Sequence, residues 1–331
     1  MQLTNSNIQN SFICPVLATP LTLVKEGFRN QNNIIYKKVV EQPIVIDFVE
    51  PHLMTSQDQF NLSFYSNPAS LDIYRNFLDW LFLTFDTDES SFRKDVLNRL
   101  NIKPKQRILI VGCGLGEDIT AIKSIVGDDC EIHAQDISKS MVLNAASNPK
   151  LNDVTFTISN GLNLPYQSGY FDIVYHFGGI NLFGDMKKAI AELARVCKIG
   201  GQVLFGDEGI SPHLRDSEYA KIAINNNHLW SNEAPLKYLP ISAQKLELTY
   251  VLGNCFYLIH FEVGDGYPKM NIDIPHKGRR GGTARTRYFG QVEGVDPKLK
   301  DSLNQRATEL NCSAHDYLNS ILSAALEDKN K

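Results

Sequence analysis

Residues 107–116 read Arg-Ile-Leu-Ile-Val-Gly-Cys-Gly-Leu-Gly, and Glu117-Asp118 follow at once in a helical pattern. A short apolar strand that runs through a glycine turn straight into a helix cannot return as a hairpin, so its partner strand must be reached by a crossover. The same alternation continues downstream. Glu131–Gln135 ends at Asp136, Val154–Ile158 is β-branched, Phe171–Tyr175 follows a Ser-Gly turn, and Gly201–Phe205 comes fifth. Before the fifth strand, Met186–Val196 places apolar residues at 186, 189, 190, 193 and 196, a helical period that stops at Lys198-Ile-Gly-Gly201. Two late runs, 246–252 and 255–263, flank Gly253-Asn254 and read as a hairpin that closes the sheet with an antiparallel pair. The expected fold class is α/β, a doubly wound, mostly parallel sheet with helices on both faces.

Upstream, 70–85 and 91–100 read as helices that lead into the sheet and cover the site. Residues 267–287 change character, with six basic residues, one Asp and repeated Gly and Pro, which is a linker signal. Beyond it a strand-like stretch, 287–295, precedes two short helices, 297–311 and 314–326. Asp296-Pro297 caps the first and Ser313 with Asp316 the second, while Leu299, Leu303, Ala307 and Leu310 share one face. These boundaries divide the chain into 1–52, 68–265, a linker at 266–287 and a tail at 288–331.

The 331 residues are 43% apolar with a formal net charge of −4, a globular balance that disfavours wholesale binding to nucleic acid. Six cysteines stand singly without a C-x-x-C pair, so neither disulfides nor a metal site is expected. The opening residues lack a basic-then-apolar layout, and the most apolar run, 78–85, is far below the roughly 20 residues that span a bilayer. A cytoplasmic protein without a membrane span is expected.

The glycine turn and Asp136 together suit a nucleoside: small residues let a ligand approach the backbone, the helix start offers free N–H groups, and the acid accepts from ribose hydroxyls. A dinucleotide would favour G-x-G-x-x-G. Here the spacing is G-x-G-x-G, and Glu117 and Asp118 would repel a pyrophosphate while suiting a cationic sulfonium, which favours S-adenosylmethionine over NAD.

With those residues in place, the segment 70–264 resembles class I S-adenosylmethionine-dependent methyltransferases, in the branch similar to ubiquinone-biosynthesis methyltransferases. The resemblance extends through Asp136-Ile137, Asn163-Leu-Pro-Tyr166, Phe171-Asp-Ile-Val174 and Glu192-Leu-Ala-Arg-Val-Cys-Lys-Ile-Gly-Gly201. It implies a seven-stranded Rossmann-like sheet, with Gly112, Gly114 and Gly116 at the methionine end of the cofactor. It further implies Asp136 on the ribose, Ile137 and Met141 on the adenine surface and Asn160-Gly161 at the adenine amino edge, with His176 and Phe177 bordering the methyl group. Two positions depart from the pattern. Ile110 stands where such enzymes carry an acid near the methionine amino group, and Asn160 stands where many carry Asp, although its carbonyl oxygen can still accept a hydrogen bond.

His176 is a candidate base, against the plainer reading of a hydrogen-bonded structural histidine. Asp207 and Glu208 are candidates for positioning an acceptor amine or hydroxyl, against a solvated loop. The absence of an N-P-P-Tyr element weakens base or amide N-methylation.

The N-terminus, from Phe12 through Cys14, Leu17, Asn30, Asn33 and Tyr36 to Asp47, resembles a degenerate zinc ribbon, a small β-rich module in which Cys14 alone keeps a sulfur. The tail is loosely similar to a ribbon-helix-helix unit, but Glu293 in its reading strand and the acidic balance argue for docking on a second copy or a protein partner instead of DNA. Three functions fit the sequence: a methyltransferase for a small-molecule acceptor, which is favoured; one acting on RNA or protein; and a partner-binding module that keeps the fold without catalysis.

Overall fold

The computed structural model describes residues 10–67, 69–290 and 295–327. The chain divides into two compact units that meet at Tyr267 and Pro268. The first opens with four short strands, β1 (Thr22–Val24), β2 (Gly27–Arg29), β3 (Ile35–Val40) and β4 (Val45–Asp47). Three helices follow: α1 (Ser56–Tyr65), α2 (Ser70–Thr84) and α3 (Glu89–Asn98). The alternating region comprises β5 (Arg107–Val111), α4 (Glu117–Val126), β6 (Glu131–Asp136), α5 (Lys139–Ala146), β7 (Thr155–Ile158), β8 (Phe171–Phe177), α6 (Met186–Val196) and β9 (Cys197–Glu208). It is completed by α7 (Glu218–Asn226) and the hairpin of β10 (Ala243–Val251) and β11 (Phe256–Val263).

All eleven strands join one sheet in the order β1-β2-β3-β4-β7-β6-β5-β8-β9-β11-β10. Strands β4 to β9 lie parallel along the run β4-β7-β6-β5-β8-β9, and β11 joins β9 antiparallel. Among the described residues, seven of the eleven, β5 to β11, come from the stretch for which a seven-stranded sheet was expected. The other four belong to the expected β-rich N-terminal module, which does not stand apart: Val45, Ile46 and Asp47 pair with Phe156, Thr157 and Ile158, so it extends the sheet from the β7 edge. Within it, Cys14 Sγ lies 3.3 Å from the Tyr36 hydroxyl and accepts from Asn30 Nδ2 at 3.4 Å. Asn30 Oδ1 in turn accepts the backbone N–H groups of Asn32 and Ile34.

Alternation along β5 explains the layering. Ile108 and Ile110 pack into the core on one face of the sheet with Val96, Leu97 and Ile119, while Leu109 and Val111 enter the other with Ile190 and Leu193 from α6. Because both faces are covered, the strand reads as an unbroken apolar run.

The second unit contains α8 (Ala284–Phe289), α9 (Pro297–Glu309) and α10 (Ala314–Glu327). The strand expected over 287–295 is corrected at its start: Thr283 and Thr286 form a reciprocal cap that opens α8, so 287–289 are helical. Residues 291–294, with Glu293, lie outside the described residues. Asp296 caps α9 through the Lys298 N–H, and Ser313 accepts from the Asp316 N–H at the start of α10. Ala307 is buried, whereas Leu299, Leu310, Ile321, Leu322 and Leu326 remain exposed.

Candidate functional site

The ends of β5 and β6 define a cavity. Gly112 and Gly114 leave β5 with φ of +65° and +52°, a backbone region that L side chains rarely adopt. A Cβ on Gly112 would stand 3.2 Å from the His176 ring, and one on Gly114 would stand 3.2 Å from the Tyr74 hydroxyl, so two facing side chains close over the bare backbone. Asp136, at the end of β6, braces this turn: Oδ2 accepts from Gly114 N at 3.0 Å and Oδ1 from Ser138 N at 2.9 Å. Burial pushes its carboxyl above the usual range, while the backbone donors pull it back.

The cavity is lined by Gly112, Gly114, Asp136, Ile137, Met141, Asn160, Gly161 and His176, which are eight of the ten residues implied for the cofactor. The other two lie elsewhere. Gly116 faces Leu151 and Ala145 and serves the packing of α4, and Phe177 borders a neighbouring cavity. Among the lining residues are two carboxylates, Asp58 and Asp136, and no lysine or arginine.

Several lining residues were not singled out from the sequence, although helix 70–85 was expected to cover the site. Asp58, Asn61 and Tyr65 come from α1, Tyr74 from α2, and Leu182 and Phe183 from the turn after β8. Asp58 is a hub: Oδ2 accepts from Thr55 N at 2.9 Å and Asn160 Nδ2 at 3.1 Å, and Oδ1 from Gly184 N at 3.1 Å. Asn160 is thereby fixed with Oδ1 already accepting from Leu162 N, which leaves one lone pair for a ligand. Gln135 accepts from Gly112 N and donates to the Ser159 carbonyl, tying the glycine turn to the end of β7.

His176 is buried, and desolvation lowers its pKa, so the ring is neutral. Its Nδ1 donates to the Val111 carbonyl at 2.8 Å. That bond fixes the tautomer and leaves Nε2 as an acceptor, buried and without a partner among the described residues.

Asp207 does not line the cavity. Its Oδ2 accepts from Gly179 N at 3.1 Å and Asn181 N at 2.6 Å, and its Oδ1 from Glu208 N at 2.7 Å, so it shapes the turn after β8. Glu208 borders the neighbouring cavity and accepts from Asn227 Nδ2 at 3.0 Å.

Glu117 and Asp118 are not the free charges that the sequence suggests. Arg93, 6% exposed, pairs with Asp118 at 2.7 Å, and Arg75 pairs with Glu117. Both charges are neutralised by α2 and α3, so they cannot select the ligand. The preference for a cation rests instead on the acidic, base-free lining.

Residues 102–252 match the family described as a methyltransferase domain. Together with the glycine turn and Asp136, this makes the segment a class I S-adenosylmethionine-dependent methyltransferase domain on an α/β, Rossmann-like sheet. Demethylmenaquinone methyltransferase of Alkalihalophilus pseudofirmus is 30% identical over 117 residues, covering 34% of this chain and 50% of that protein. The enzyme of the same name from Oceanobacillus iheyensis is 31% identical, covering 34% and 49%. The chain thus spans about half the length of these curated relatives. A solved structure of Haemonchus contortus phosphoethanolamine N-methyltransferase 2, in complex with S-adenosyl-L-methionine, is similar at a TM-score of 0.49 and 15% identity, covering 65% of this chain and 62% of that one.

Proposed function

We propose that the protein transfers a methyl group from S-adenosylmethionine to a small-molecule acceptor. The observation that carries the reading is the cavity at the ends of β5 and β6, whose lining combines bare glycine backbone, a buried carboxylate and no basic side chain. The donor set fits a sulfonium nucleoside. Asp136 keeps a lone pair on each oxygen for two hydroxyl donors, Ile137 and Met141 offer an apolar face to a purine, and the orphaned Nε2 of His176 needs a donor. A phosphate-bearing dinucleotide would find no cation there. The bound sulfonium supplies an activated methyl group; the chain's own residues orient it and exclude water, since methyl transfer depends above all on in-line placement.

His176 is a positioning acceptor in this reading. Its neutral ring lies against the Gly112 backbone and holds its Nε2 lone pair toward the ligand. Asp207 acts one step back, by holding Gly179 and Asn181. No helix among the described residues is long and apolar enough to cross a membrane, and we place the protein in the cytoplasm. The exposed leucines of α9 and α10 support a second copy or a protein partner as their cover.

Calorimetry with S-adenosylhomocysteine tests the reading. Asp136→Ala should weaken binding by about 1.5–3 kcal/mol, the worth of a hydrogen bond to a charged group. Unchanged affinity in that variant, or tighter binding of NAD, would overturn it.

A further inference from the structure

Beside the cofactor cavity lies a second one of about 260 Å³, and the two share Tyr65, Tyr74, Gly178, Gly179 and Leu182 as common walls. An apolar cavity of about 150 Å³ admits a benzene ring, so this one holds a substituted ring or a compact aliphatic body. Its walls are largely apolar, leucines together with six aromatic rings: Tyr65 and Tyr74 on the shared side, then Phe77, Phe82, Phe177 and Phe256. Phe177 and Phe256 stack with centroids 5.9 Å apart and planes inclined by 27°.

Set into this apolar wall is Glu208, 8% exposed, next in sequence to the wholly buried Asp207. The donors that reach the two carboxyls are neutral: three backbone N–H groups on Asp207, the Asn227 amide on Glu208, and the protonated Glu208 carboxyl itself, which hydrogen-bonds Asp207. Among the described residues no ion pair reaches either. Arg93 also borders the cavity, but its guanidinium is committed to Asp118 and Glu89. Two adjacent buried carboxyls without a cation cannot both be charged. Accordingly burial, and then the neighbouring Asp207, push Glu208 up to about 9, so it holds its proton at neutral pH. An acid kept protonated for want of a countercharge, within aromatic faces that attract cations, is matched by an ammonium.

We propose that the second cavity is the acceptor site and that it takes a small primary or secondary amine with an apolar body, whose nitrogen is held by Glu208. This rests on the methyltransferase reading and adds the class of acceptor to it. When the ammonium enters, Glu208 releases its proton to solvent and pairs with the charge. For transfer, Glu208 takes one proton from the nitrogen, and the freed lone pair forms the N–C bond as the C–S bond breaks with its electrons left on sulfur. The product departs as a methylated ammonium, Glu208 keeps the proton of its resting state, and one proton is released per turnover. Glu208 is thus a catalytic residue that touches the acceptor, and Asn227 fixes its orientation.

The experiment uses the full chain with S-adenosylhomocysteine bound and benzylamine as the probe, titrated by calorimetry at pH 7 in two buffers of different ionisation enthalpy. Benzyl alcohol serves as the neutral isostere. Benzylamine should bind at least tenfold more tightly than benzyl alcohol and release close to one proton. Glu208→Gln should abolish the proton release and cost benzylamine at least tenfold, while the affinities for benzyl alcohol and S-adenosylhomocysteine stay as they were. The retained S-adenosylhomocysteine affinity shows that the variant is folded. Absent benzylamine binding, equal or tighter binding of benzyl alcohol, or unchanged proton release in the variant each overturns the amine site. Failure of S-adenosylhomocysteine to bind the wild-type chain would overturn the underlying function instead.

Discussion

Arg93→Met isolates the charge that anchors α4 beneath the glycine turn. Arg93 and Asp118 are 6% and 7% exposed, and the guanidinium gives Nη1 to Asp118 at 2.7 Å and Nε to Glu89 at 2.9 Å. Methionine fills much of the same volume but leaves the Asp118 carboxylate buried with, among the described residues, the weak 3.4 Å contact of the Tyr175 hydroxyl as its remaining side-chain hydrogen bond. Removing one member of a buried pair costs about 3–5 kcal/mol, far more than the pair is worth against an apolar replacement. In a unit of this size each kcal/mol moves Tm by roughly 2–4 °C, so a fall of about 10 °C is expected. Differential scanning calorimetry of wild type, Arg93→Met, Asp118→Leu and the double variant reads the effect. The double variant should recover most of the loss, because no uncompensated charge remains. A drop in Arg93→Met within about 2 °C of zero, or a double variant no more stable than Arg93→Met, would refute the account of a charge committed to Asp118.

Glu208 makes stability depend on pH. Its carboxyl titrates at about 9 in the folded chain against an ordinary 4.5, so between those values the folded state holds a proton that the unfolded state has lost, and stability falls as pH rises. Glu208→Gln removes this drift, and the Tm of the variant relative to wild type should climb steadily from pH 5 to pH 9; a constant difference would show that the carboxyl is not held protonated. A chain ending at Tyr267 should bind S-adenosylhomocysteine with unchanged affinity, since the lining runs from Asp58 to Phe183, while light scattering should show a changed assembly state or partner capture. Loss of binding with the assembly state unaltered would instead place the tail within the cofactor-binding unit.

The parts of the fold that depend on neighbours in sequence were readable before the structure. The strand, glycine turn and helix over 107–118 are local, and so is the α6 helix, whose amphipathic period marks both of its ends at Met186 and Val196. Contacts between distant residues were not. Helix α1, Ser-Gln-Asp-Gln-Phe-Asn-Leu-Ser-Phe-Tyr, has little amphipathic pattern, and its only marker is the reciprocal cap of Thr55 and Asp58. Yet that helix supplies three residues of the cavity. Likewise Glu117 and Asp118 read as free charges because their partners, Arg75 and Arg93, lie 42 and 25 residues away in sequence. Gly116 shows the limit of a spacing pattern: it shares the glycine rhythm of Gly112 and Gly114, but its surroundings are Leu151, Ala145 and Ile119.

Helix α1 is fastened along its whole length. Near its start Asp58 holds Asn160 and Gly184, midway Asn61 donates to the Leu182 carbonyl at 2.7 Å, and at its end the Tyr65 carbonyl accepts from Ser138 and Ser140 at 3.0 and 2.6 Å. These bonds join the helix to the loops after β6, β7 and β8, which are also the loops that shape the cavity. On the reading that a nucleoside sits in this cavity, α1 holds one of its walls, so opening of these bonds is expected to speed the nucleoside's departure. Loosening α1 at Asn61 or Ser140 should then quicken the exchange of S-adenosylhomocysteine, read by stopped-flow release, while the ends of β5 and β6 keep their geometry.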